Sequence, residues 1–199
     1  MTKRTRSLKR TVVVLSVVLV MLLGVAGTMA YLQDATDPVV NTFTPSDVNI
    51  TLTESMPTDY TAKMVPGATI DKDPKVAVVA GSEACYVFVK VDAGNGVKLV
   101  ADATAADYIT YGMAEDWTLV PGQTNVYYIA VDAAIAEAGK EFPVLADNQV
   151  QVLPTVTKAM METAKTAKPT LTFTAYAIQM NHLPTGTDVA SAWALIDAD

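Results

Sequence analysis

Apolar and polar residues alternate along much of the chain with the two-residue period of a β-strand. Val48, Ile50 and Leu52 stand against Asn49, Thr51 and Thr53, which predicts a half-buried strand. Within the run 84–92, Cys85, Val87, Val89 and Val91 share one face, because successive side chains on a strand point to opposite sides. Across 170–180 the same rule puts Leu171, Phe173, Ala175, Ala177 and Gln179 on one face and Thr170, Thr172, Thr174, Tyr176, Ile178 and Met180 on the other. The first half of that strand is therefore expected to cover a core with Leu171 and Phe173, its threonines facing out. Full burial of each of those two side chains contributes about 1.5–3 kcal/mol.

Further strand-like runs lie at 75–80, 96–101, 117–120, 125–131 and 148–153, separated by breakers such as Pro57, Pro66-Gly67 and Asp73-Pro74. Their close spacing leaves no room for a helix between most pairs. An antiparallel β-sandwich is favoured over a β-α-β fold, whose parallel crossovers need helices. Gly94-Asn95-Gly96 reads as a hairpin turn joining 84–92 to 96–101. Helical pattern is confined to short inserts at 132–138 (ending at Gly139), 157–165 and 188–196. None is long enough to organise the fold.

The first 30 residues differ from the rest. Lys3, Arg4, Arg6, Lys9 and Arg10 precede an apolar run over 11–25 and the small-residue end Ala26-Gly27-Thr28-Met29-Ala30. These are the three zones of a secretory signal, with cleavage expected between Ala30 and Tyr31. The uncharged stretch 11–33 is also long enough, at about 1.5 Å per residue, to cross a bilayer as a retained anchor. Residues 31–45 follow as a polar, irregular arm, broken at Asp37-Pro38 and extended over Val39, Val40, Asn41, Thr42 and Phe43. The remainder, 46–199, reads as one β-sandwich domain.

Charge narrows the partners. Residues 1–30 hold five of the 14 basic residues and none of the 21 acids, so the remainder carries a formal net charge of −12. That sign repels phosphate backbones and anionic lipid, which excludes nucleic acid and leaves membrane contact only to an uncleaved N-terminus.

Catalytic, cofactor and metal residues are not expected. A zinc site of the His-Glu-x-x-His kind needs two histidines, and His182 is the single histidine of the chain. A serine triad would depend on the same His182, and Ser82 and Ser191 lack a Gly-x-Ser-x-Gly setting. Cys85, the single cysteine, sits in an apolar strand that raises a thiol's pKa. Asp71-Lys72-Asp73-Pro74 offers two carboxylates to a calcium ion, too few alone, and reads as a turn opening a strand. Leu183-Pro184-Thr185-Gly186 lacks the variable residue and the apolar tail of a sortase signal.

Several segments in order resemble the TasA/camelysin family of bacterial surface proteins. They are Gly27-Thr28-Met29-Ala30-Tyr31-Leu32, Val40-Asn41-Thr42-Phe43-Thr44, Val65-Pro66-Gly67-Ala68-Thr69-Ile70-Asp71-Lys72-Asp73-Pro74, Gly81-Ser82-Glu83-Ala84-Cys85-Tyr86-Val87-Phe88-Val89-Lys90-Val91 and Leu171-Thr172-Phe173-Thr174-Ala175-Tyr176-Ala177-Ile178-Gln179. The resemblance implies a jelly-roll-like sandwich, a SipW-dependent-type signal removed by a signal peptidase, and a secreted biofilm-matrix or cell-surface fibre subunit. It also implies assembly with itself or a homologous matrix subunit, residues 31–45 inserting as a strand into the next subunit. In the alternative, that segment adds an edge strand to its own domain. Two other functions stay open: a monomeric surface module whose acidic loops bind a cation or a basic partner, and a camelysin-type metallopeptidase, for which this chain offers no zinc-ligand spacing.

Overall fold

Alternating residues build most of the strands where the pattern places them. The computed structural model describes residues 11–17, 47–55, 63–181, 183–184 and 186–196. Two units are distinguished, Met1–Thr44 and Pro45–Asp199. In the first, residues 11–17 are helical and exposed. Among the described residues no helix is long and apolar enough to cross a membrane. Ala30, Tyr31, the arm residues Val39, Val40, Asn41, Thr42 and Phe43, and His182 all lie outside the described residues.

The described residues of the second unit form eleven strands: β1 (Ile50–Thr53), β2 (Thr69–Asp71), β3 (Lys75–Val78), β4 (Cys85–Gly94), β5 (Val97–Leu99), β6 (Ile109–Met113), β7 (Thr118–Leu119), β8 (Val126–Val131), β9 (Lys140–Pro143), β10 (Leu145–Val152) and β11 (Thr170–Gln179). Three short helices accompany them, α1 (Ala133–Ala138), α2 (Lys158–Ala164) and α3 (Val189–Ile196). The strands make three sheets, ordered β1-β3-β9, β2-β10-β6-β5 and β11-β4-β8-β7, a mostly antiparallel β-sandwich.

The third sheet is the backbone of the fold. β4 and β11 pair from Thr170 opposite Gly94 to Gln179 opposite Cys85, and β8 pairs with the other edge of β4. Cys85, Val87, Val89 and Val91 point into the main core as the alternation predicts, meeting Val76, Phe142, Leu145 and Val150 from the other two sheets. At about 1.5–3 kcal/mol for each fully buried side chain, this shared face is the main source of stability.

Two expectations are corrected. Gly94-Asn95-Gly96 does not close a hairpin: β4 and β5 belong to different sheets, and β5 pairs in parallel with β6, Val97 opposite Ile109. The turn instead carries the chain from one layer to the other. Gly96 (φ +75) is required twice over, because a Cβ there would stand 2.3 Å from the Tyr108 ring. Strand 96–101 accordingly shortens to β5 and ends in a 3-10 turn at Val100–Asp102.

The helices are short, as expected, and one of them covers a face of the third sheet. The outer surface of the third sheet carries Tyr86, Phe88, Tyr128, Tyr176 and Ile178, and α3 lies on it. Trp193 meets the rings of Phe88 and Tyr176, each with centroids 5.4 Å apart, the latter edge-to-face. Such pairs add about 0.5–1.5 kcal/mol beyond area burial. β4 is thus buried on both faces, which explains its near-continuous apolar run. Asp188 starts the helix by accepting from Ser191 N at 2.8 Å.

Candidate functional site

The side chains singled out for their chemistry are mostly occupied with holding the fold. Cys85 is fully buried, and desolvation pushes its thiol up to about 11, so it stays a neutral, unreactive core residue. Ser82 is buried too; its hydroxyl donates to Val79 O at 2.7 Å and accepts from Asn49 N at 3.2 Å. Ser191 lies in the first turn of α3, where its backbone N donates to Asp188 Oδ1 at 2.8 Å and its hydroxyl bonds the same carboxylate. Among the described residues, no group of three or more His, Cys, Asp or Glu comes together.

The segment Asp71-Lys72-Asp73-Pro74 does not aim its carboxylates at one point. Asp71 Oδ1 accepts from Gln149 Nε2 at 3.3 Å. Asp73 Oδ1 accepts from Ser55 Oγ at 2.7 Å and from Ser55 N at 3.0 Å, and these bonds hold its carboxyl below the ordinary value of 3.8. Lys72 reaches Glu54 Oε1 at 2.8 Å and lies 5.5 Å from the centre of the Phe173 ring. Residues 54–55, at the end of β1, are therefore tied to residues 72–73 by an ion pair and two hydrogen bonds.

Glu54 and Lys72 of that tie line a groove of about 850 Å³. Among the described residues β1, β2 and β11 each stand at the end of their sheet's order, and all three line the groove, with Leu52, Ile70, Leu171 and Phe173. Ile109 lies in its wall and Met161 of α2 covers one side. Leu171 and Phe173 face the core yet remain half-buried, and Leu52 is 38 % exposed. A closed sandwich buries such positions. This one leaves a seam where apolar side chains that pack against the core on one side stay part-exposed on the other, beside strand edges that pair with no further strand among the described residues.

Edge strands of this kind are templates for another strand, since their outward N–H and C=O groups are unpaired within the sheet. The groove's size lies within the ~300–1,000 Å³ range of sites that enclose a ligand. A polypeptide segment satisfies both its apolar walls and its backbone edges, whereas a small apolar molecule satisfies only the walls. A second recess, of about 470 Å³, is polar and includes Asp92, Asp102, Tyr111 and Asn125; the Asn125 amide is already committed to Val91 O at 3.1 Å.

The alternation of β11 located Leu171 and Phe173 on the inner face, but nothing local marks them as half-open, because the seam is made by residues far apart in the chain. One signal was available: between Glu162 and Asp188 the acidic chain carries no acid at all. No family model, no curated protein and no solved structure matches the chain.

Proposed function

We propose that the chain is a secreted, non-enzymatic structural protein of the cell surface or extracellular matrix, and that it assembles by β-strand addition. The observation that carries the reading is the apolar groove at which three sheets each present an edge strand, together with inner-face residues left half-buried there. Residues 31–45 of a second copy are the proposed occupant. They supply Val39, Val40 and Phe43 as apolar side chains and lie just ahead of the domain. Such a contact runs head to tail and does not close on itself, so repetition gives filaments.

The signal-like pattern over 1–30, with cleavage after Ala30, supports export and exposes Tyr31 as the new terminus. The net charge of −12 outside that segment keeps subunits soluble until they dock. The resemblance to the TasA/camelysin family, with its jelly-roll-like sandwich, points the same way.

Electron microscopy of the protein starting at Tyr31, beside a form lacking residues 31–45, tests the reading. Filaments are expected from the first and none from the second, which keeps its β circular-dichroism spectrum. Filaments from both forms refute the role of the arm.

A further inference from the structure

The charge around the groove specifies the kind of strand it accepts. Residues 46–199 carry 19 acids and nine basic residues, yet no acid lies between Glu162 and Asp188. That stretch includes the end of α2, the connector that follows it and all of β11. Its two lysines, Lys165 and Lys168, are exposed and both line the groove. Lys165 is ion-paired with Glu162 at 2.7 Å, with both side chains more than half exposed. The ammonium of Lys168 forms no ion pair with a described residue. The backbone of Lys168 is fixed instead, its carbonyl accepting from Asn95 Nδ2 at 2.8 Å. Lys72, across the groove, is neutralised by Glu54. Asp71 also lines the groove, beside Lys72, and Lys165 shares its charge with Glu162, so the cation left over is Lys168, where β11 begins, on a domain that is otherwise strongly negative.

The segment 31–45 has the opposite character, holding Asp34 and Asp37 and no basic residue. An acid-bearing strand is repelled by most of this domain's surface, and like charges brought together oppose docking. Its approach is favoured beside a cation that has no acidic partner among the described residues, as Lys168 stands at the start of β11.

We propose that Lys165 and Lys168 recruit and orient the incoming arm by pairing with Asp34 and Asp37 of a second copy. This rests on the reading of the groove as the acceptor site. The pairing fixes a direction. In the arm the acids precede the apolar residues Val39, Val40 and Phe43; on the acceptor the lysines precede Leu171 and Phe173. Matching charge to charge and apolar to apolar requires the arm to run parallel to β11. It further defines the partner chemistry: an extended, apolar, acidic segment without lysine or arginine. Because the lysines are exposed, their effect falls mainly on the rate of encounter and is screened by salt, the Debye length shrinking from about 10 Å at 0.1 M to about 3 Å at 1 M.

The test is filament growth of the exported protein, followed by light scattering and microscopy. At low salt the K165E/K168E and D34K/D37K variants are each expected to grow roughly tenfold slower or more, the lower end of electrostatic steering. The variant combining all four changes is expected to recover growth, which also shows that the altered surfaces still fold. Unchanged growth of both double variants overturns the proposal while leaving the acceptor reading intact, since filaments still form. Slow growth without recovery in the combined variant overturns the pairing. An unaltered protein that forms no filaments overturns the acceptor reading and this inference with it.

Discussion

At Cys85 and Gly96, single side chains are constrained by what surrounds them. Cys85 has no exposed surface and a thiol raised to about 11, so it is expected to resist a thiol reagent in the folded protein and to react once urea unfolds it. Equal rates in both states contradict that burial. Gly96→Ala forces a side chain into φ +75 and onto Tyr108; a loss of about 1–3 kcal/mol in urea unfolding is expected for strain at such a position. Carboxylates set the acid limit. Bonds to Asp73 from Ser55, to Asp107 from Thr104 and to Asp188 from Ser191 lower all three below 3.8. A lowered carboxylate stabilises the fold fully above its unfolded value and loses that contribution as pH falls through the folded one. The melting temperature is expected to drop below about pH 4, and Thr104→Ala to lessen the drop. A flat profile to pH 2 removes that explanation.

Among the elements, α3 connects local pattern to packing most directly. Its eight residues close the outer face of the third sheet, and Trp193→Ala is expected to cost about 3–5 kcal/mol in urea unfolding, as for other buried aromatics. A loss under 1 kcal/mol would mean that the helix merely rests on the sheet. β4, β8 and β11 were legible because alternation persists along them, and the three helical inserts because they have suitable capping residues. β2, β6 and β9 were not. β2 has three residues, β6 carries Gly112 next to its last residue, and β9 is half charged and ends at Pro143. Each is held by neighbours in space: Gly112, for instance, sits where a Cβ would come within 3.3 Å of Ala146 on β10. The parallel pairing of β5 could not be read from a Gly-Asn-Gly turn, whose local chemistry fits a hairpin and a layer crossing equally well.

On the scale of the whole molecule, the groove is a product of topology. Leu52, Ile70 and Leu171 are remote in the chain and meet because three sheets end at one seam. Apolar surface left half-buried there is stabilisation not yet gained, at roughly 25 cal/mol per Å², and an inserted strand gains it while pairing open edges. The most direct measurement is the binding of a labelled peptide of residues 31–45 to the domain lacking them, a unit of its own from Pro45. Saturable binding that raises the domain's melting temperature and is abolished by Phe173→Asp, with the variant still folded, is expected. No binding, or equal binding to the Phe173→Asp domain, means that the groove is not where subunits join.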